Sequence, residues 1–176
     1  MDKFETGRLQ QLETYIPDIW NNKNCLYVGA SPTRFHFCDK LKEKRIVTDI
    51  VEIDKDNCIY LQSLGWLHNI VCLDIRDFLL LEHHRYDLIL WSHGPQLLPK
   101  EDFVTTINRL IKLMNNITVL MSPWGKYTYN EFELKNQKFP NIATFYEEDY
   151  KALGFETNCL GNKNVNNSNL LAWRYK

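Results

Sequence analysis

The chain has no long apolar run. No stretch approaches the ~20 residues needed to span a bilayer, so no membrane segment is expected. It has no excess of basic charge either. Lys and Arg number 21 against 22 Asp and Glu, for a formal net charge of −1. A protein built to grip phosphate backbones carries a basic surplus, so nucleic acid is a disfavoured partner. The one basic cluster, Lys40, Lys42, Lys44 and Arg45, is interrupted by Glu43 and reads as the solvated end of a helix. The five cysteines are an odd number without a CxxC pair, which argues against a disulfide framework and a zinc knuckle. Buried reduced thiols in a cytoplasmic protein are the expectation, with no metal. The opening residues Met1 to Glu5 are charged and do not read as a signal peptide. Internal repeats are missing, and the only biased stretch is an Asn-rich patch near residues 162–169.

What remains is a soluble globular composition. A length of 176 residues suits one domain spanning 1–176 with a single core. Aromatics reach 13%, enough that rings must fill the core or line a pocket. Residues 4–20 mix Leu, Ile and Trp with charge and predict a leading helix broken at Pro17. Residues 1–23 then form a helical cap over a sheet edge or a ligand pocket, ahead of a core at 24–176.

From Cys25 a repeating pattern begins. Cys25-Leu26-Tyr27-Val28 is a short apolar run closed by Gly29, as in a strand buried on both faces. A helix follows over 33–44, then a β-branched strand over 46–52. Asp54 is placed to cap the next helix and Gly65 to end it. Strands are predicted at 69–73 and 86–91, with a short helix from Asp77, its expected cap, between them. Beyond Pro99, Phe103, Ile107, Leu110, Ile111 and Met114 recur at helical spacing, with Glu101 and Asp102 in the first turn. Ile117 to Met121 is a fifth strand, residues 122–145 an irregular loop, and Glu147 to Leu153 a helix stopped by Gly154. Two final strands, 155–160 and 169–175, are joined by the Asn-rich turn. Strand–helix alternation implies a parallel sheet covered on both faces. A turn too short for a crossover makes the last pair antiparallel.

These residues, in this order, resemble the class I S-adenosylmethionine-dependent methyltransferases. Leu26-Tyr27-Val28-Gly29-Ala30-Ser31 resembles their glycine-containing first motif, and Val51-Glu52-Ile53-Asp54 the acidic motif ending their second strand. Leu73-Asp74-Ile75-Arg76-Asp77 is similar to their third motif. Tyr86 to His93 is similar to their fourth strand with its loop, and Ser122-Pro123-Trp124-Gly125 to the turn after strand five. The resemblance implies an α/β Rossmann-like three-layer sandwich, a mostly parallel seven-stranded sheet with an antiparallel C-terminal hairpin.

It also implies S-adenosyl-L-methionine as cofactor. Gly29, Ala30 and Ser31 would pass beneath its methionine part, and Glu52 would accept from both ribose hydroxyls. Asp74 would take the adenine amino group, with Ile53 beside Glu52 and Ile75 against the ring. Trp91 and Ser92 would line the methyl donor's pocket. His93 would act as base toward the nucleophile, or is a satisfied loop histidine. The aromatics of Pro123 to Tyr129 either cover the acceptor or pack back on the core. One departure stands out: the family pattern carries two or three glycines in the first turn, and here Gly29 is followed by Ala30, Ser31 and Pro32.

The resulting expectation is methyl transfer to an oxygen or nitrogen of a small-molecule or glycan-like acceptor, by a monomer or homodimer. The alternatives are a binding module that keeps the fold without turnover, and a nucleic-acid methyltransferase. An Asn/Asp-Pro-Pro-Tyr sequence after strand four is missing, which counts against base methylation. The lack of GxGxxG after strand one counts against a nicotinamide domain.

Overall fold

A computed structural model describes residues 3–30, 36–92, 94–126, 142–164 and 168–176. Its elements run α1 (Lys3–Tyr15), a 3₁₀ turn (Ile19–Asn21), β1 (Asn24–Val28), α2 (His36–Glu43), β2 (Val47–Glu52) and α3 (Lys55–Ser63). They continue with β3 (Asn69–Cys72), α4 (Ile75–Leu81), β4 (Tyr86–Ser92), a 3₁₀ turn (Pro95–Leu97), α5 (Lys100–Lys112) and β5 (Met114–Ser122). A short helix α6 (Glu147–Lys151), then β6 (Glu156–Leu160) and β7 (Asn169–Tyr175), complete the set.

The seven strands form one sheet in the order β3-β2-β1-β4-β5-β7-β6. β1 pairs in parallel with β2 and β4, β2 with β3, and β4 with β5. β7 inserts antiparallel between β5 and β6, which gives the expected C-terminal hairpin. The chain winds outward from β1 to β3, returns to the other side of β1 for β4, and so creates a switch point between β1 and β4. Ligands of such sheets sit at the carboxyl ends of the strands there.

Period-two alternation sorts each central strand onto two cores. Leu26, Val28, Ile89, Trp91 and Leu120 face the cluster shared with Phe78 of α4, Ile107 of α5 and Tyr150 of α6. Cys25, Tyr27, Leu88, Leu90 and Val119 face the cluster of Leu12 of α1, Phe37 of α2 and Leu61 of α3. This two-sided burial is why β1 and β4 read as continuous apolar runs. Among the described residues no helix is long and apolar enough to cross a membrane.

Several local expectations hold and some shift. α1 stops at Tyr15, ahead of Pro17. Asp54 caps α3, its carboxylate accepting from the Asp56 and Asn57 amides, and Gly65 takes φ +68 just beyond the helix. Asp77 is not the cap of α4. The helix starts at Ile75, and Asp74 caps it by accepting from the Arg76 amide. β5 starts at Met114 rather than Ile117, with a register irregularity between Tyr86 and Leu88 on its partner.

Candidate functional site

The carboxyl ends of β3, β2, β1 and β4 lie side by side and bring most of the singled-out residues onto one rim. β1 is followed by Gly29, whose amide donates to Val51 O at 2.8 Å and whose φ of +73 turns the chain out of the strand. That φ strains any side chain. A Cβ built there would lie 3.9 Å from both Ser92 O and Trp91 Nε1, so the turn of β1 abuts the end of β4. Ala30 is fully buried behind it. Ser31 and His93 lie outside the described residues.

Glu52 ends β2 and is only 6% exposed. Its Oε1 accepts from the Asp54 amide at 2.7 Å. Burial pushes its carboxyl above the usual range, the Asp54 amide opposes this, and the nearby Asp54 carboxylate adds to it. The helix cap at Asp54 thus also fixes the direction of the Glu52 side chain. Ile53, next to it, stays exposed.

Asp74 sits beyond β3, where its side chain does more than cap. Arg76 donates to it in fork geometry, Nε to Oδ1 at 3.0 Å and Nη2 to Oδ2 at 2.8 Å, while Nη1 reaches Asp102 at 2.7 Å. These Arg76 hydrogen bonds hold the Asp74 carboxyl below its ordinary range. Ile75, the first residue of α4, is buried in the cluster that includes Phe103 and Ile107 of α5.

At the β4 end, Trp91 and Ser92 are both buried. Gly94 exists for Trp91: a Cβ at position 94 would fall 1.2 Å from the indole Nε1. The Ser92 hydroxyl accepts from Arg8 Nη2 at 3.1 Å. Arg8 is a residue that the sequence reading missed. It lies on α1, is fully buried, and also donates to Asn169 Oδ1 at 3.1 Å and contacts Met121 Sδ at 3.5 Å. Asn169 in turn donates to Gln11 Oε1 at 2.8 Å, and Gln11 donates to Asn158 Oδ1 at 2.8 Å. A polar clamp therefore seats α1 across the carboxyl ends of β4 and β5 and on the β7–β6 pair. The only hint in the sequence was the spacing of Arg8, Gln11 and Leu12 on one helix face.

Gln96 was missed as well. Its backbone carbonyl accepts from the Ile142 and Ala143 amides at 2.9 and 3.1 Å. Its side-chain Oε1 is buried without a hydrogen-bond partner among the described residues, a costly arrangement that functional sites tolerate more than cores do. Beside it an open cleft of about 620 Å³ is lined by Pro99, Lys100, Lys126, Ile142, Thr144 and Tyr146. Of the loop aromatics, Trp124 packs on the core and donates its indole N–H to Glu147 at 3.0 Å. Tyr127 and Tyr129 lie outside the described residues. Among the described residues no cluster of three His, Cys, Asp or Glu is placed to hold a metal.

No protein-family model and no curated protein matches the sequence. The fold does match solved structures. A SAM-dependent methyltransferase from Archaeoglobus fulgidus superposes with a TM-score of 0.66 at 16% identity, over 97% of this chain and 94% of the other. The N-methyltransferase NodS from Bradyrhizobium japonicum gives 0.68 at 16%, over 99% and 97%. The plantazolicin methyltransferase BpumL gives 0.70 at 14%, over 99% and 85%. The chain therefore has the Rossmann-like fold of the class I S-adenosylmethionine-dependent methyltransferases, over nearly its whole length.

Proposed function

We propose that the protein transfers a methyl group from S-adenosylmethionine to an oxygen or nitrogen of a small-molecule or glycan-like acceptor. The observation that carries the proposal is Glu52. A buried carboxylate at the end of β2, aimed by the Asp54 amide, stands beside the Gly29 turn at the switch point. An ionised carboxylate offers about four lone-pair positions, and the Asp54 amide takes one of them. The remaining acceptor positions fit the two hydroxyls of a ribose diol, and the side-chain-free Gly29 fits close backbone approach.

S-adenosylmethionine, when bound, supplies a methyl group activated by its sulfonium. The chain's own residues would do the rest. Gly29, Ala30 and Ser31 would support the methionine part, and Glu52 would hold the ribose. Ile53 and Ile75 would flank the adenine. Asp74, beside its Arg76 fork, would accept from the exocyclic amine. Trp91 and Ser92 would wall the reacting end, with Ser92 oriented by Arg8. His93 would take the proton from an oxygen or nitrogen nucleophile, a task that suits the imidazole side chain. Holding nucleophile and methyl in line supplies much of the rate in such a displacement. The acceptor would enter beneath α1 and against Gln96. In support of the reading, NodS has been crystallised with S-adenosyl-L-homocysteine, and BpumL with that product and a monoazolic desmethylPZN analog.

The test is turnover: S-adenosylhomocysteine release from S-adenosylmethionine across a panel of amines and hydroxyl compounds, with His93→Ala as control. Release with at least one acceptor, lost in the control, supports the reading. Binding of the cofactor with no turnover on any acceptor overturns it in favour of a binding module. A specific observation favours that second reading: the first turn keeps a single glycine, Gly29, followed by Ala30, Ser31 and Pro32.

A further inference from the structure

Two thiols meet beside Glu52 that the proposed chemistry leaves unused. Cys58, in the first turn of α3, is buried, and its Sγ donates to the Glu52 carbonyl at 3.4 Å. Cys72 ends β3 directly across the register from Glu52 and is exposed. Cys72 lies two residues beyond Ile70, which packs in the cluster of Leu61 from α3, so the pleat turns the Cys72 side chain to the face of the sheet that α3 covers, where it interacts electrostatically with Cys58. One thiol of the pair is open to solvent and the other waits behind it. This is the arrangement of an attacked and a resolving cysteine.

We propose that Cys58 and Cys72 are an oxidisable pair that closes to a disulfide under peroxide and displaces Glu52 as it closes. The consequence for the cofactor rests on the function proposed above; the closure itself does not. The Cys72 thiolate attacks the O–O bond of hydrogen peroxide, giving a sulfenic acid and hydroxide. The Cys58 sulfur then attacks the Cys72 sulfur, the S–O bond breaks, and the oxygen leaves as water with the Cys58 proton. In sum two thiols lose two electrons and two protons, and peroxide becomes two waters. Burial pushes the Cys58 thiol up to about 12, so at neutral pH it stays protonated and donating to Glu52 until Cys72 is activated. Closure removes that donor from the Glu52 carbonyl. It also draws α3 toward β3, because an S–S bond of about 2.0 Å is much shorter than a thiol contact.

The test treats the full chain with hydrogen peroxide, maps the cysteines by mass spectrometry, and follows two readouts. One is hydrogen exchange at the Asp54 amide, which Glu52 holds at 2.7 Å. The other is affinity for S-adenosylhomocysteine. The proposal expects a Cys58–Cys72 cross-linked peptide, faster exchange at Asp54, and affinity lowered at least about tenfold, which is about 1.4 kcal/mol. Thiol reductant should reverse all three, and Cys72→Ser should show none of them. Oxidation of Cys72 without the cross-link overturns the pair. A cross-link that leaves Asp54 exchange unchanged overturns the displacement of Glu52. Should the reduced protein bind no S-adenosylhomocysteine, the function reading fails while the cross-link and the exchange still decide this one.

Discussion

Gly94→Ala should be among the most damaging single-methyl additions to this chain, and the reason is one indole. The backbone at 94 has φ −116, which any residue adopts, so no conformational strain is involved. The obstacle is contact alone. The new Cβ would lie 1.2, 2.1 and 2.3 Å from Nε1, Cδ1 and Cε2 of Trp91. Ordinary carbon contacts are about 3.5–4.0 Å, so the ring must retreat by about 2 Å. Trp91 is 3% exposed, packed in the core cluster with its indole against the Gly29 turn, so the ring is held where it lies. Overpacking of this kind costs about 3 kcal/mol. For a domain of this length that is a fall in Tm of about 6–12 °C. Thermal melts followed by circular dichroism measure it. The same substitution in a Trp91→Leu background should cost less than about 1 kcal/mol, because the clash is gone. A Gly94→Ala protein that melts with its parent, or an equal loss in both backgrounds, would refute the reasoning.

Other consequences follow from single residues. Glu52 titrates above its ordinary value in the folded chain, so its protonation stabilises the fold below that value, and this contribution is lost as pH rises through the raised one. Glu52→Gln removes the buried charge and keeps an acceptor for the Asp54 amide. Its stability relative to the parent should therefore improve as pH rises from about 4 through the raised value, as urea midpoints would show. A gap that narrows with pH would contradict this. Arg8→Met should cost about 3 kcal/mol by stranding the Asn169 and Ser92 side chains, read by urea denaturation. Adding Asn169→Ala to it should cost less than the two singles summed. Arg45 ends α2 at φ +56, its amide bonded to Lys42 O and the Ile46 amide to Leu41 O. Arg45→Gly should raise stability by up to about 1 kcal/mol, since glycine takes that left-handed cap without strain.

How much of this was legible follows from the range of each signal. The strands read clearly because β1, β4 and the end of β2 are buried on both faces. The Asp54 cap and the Gly65 stop act within one turn of their helix, so a local reading finds them. Local chemistry misplaced the α4 cap because Asp74 and Asp77 offer the same side chain. What decides between them is Arg76, forked to Asp74 and bonded through Nη1 to Asp102 on α5, which sequence spacing cannot show. The early start of β5 was hidden by Asn115 and Asn116, which are exposed and look like loop. In the candidate site, Gly29, Glu52, Asp74 and Trp91 could be singled out because each lies at or just beyond the end of a strand of the same parallel sheet. Arg8 was not, since a buried arginine runs against the usual preference and its partner Asn169 is far along the chain. Nor was the demand on Gly94, which only the orientation of Trp91 creates.

The most direct test of the central claim is a calorimetric titration of S-adenosylhomocysteine into the parent and into Glu52→Gln, with NAD as the control ligand. Hydrogen bonds to a charged acceptor are worth about 1.5–3 kcal/mol. The account therefore predicts binding by the parent, affinity about ten- to a hundredfold weaker for Glu52→Gln, and no binding of NAD by either. Equal affinity in the two proteins, or no binding by a folded parent, would contradict it.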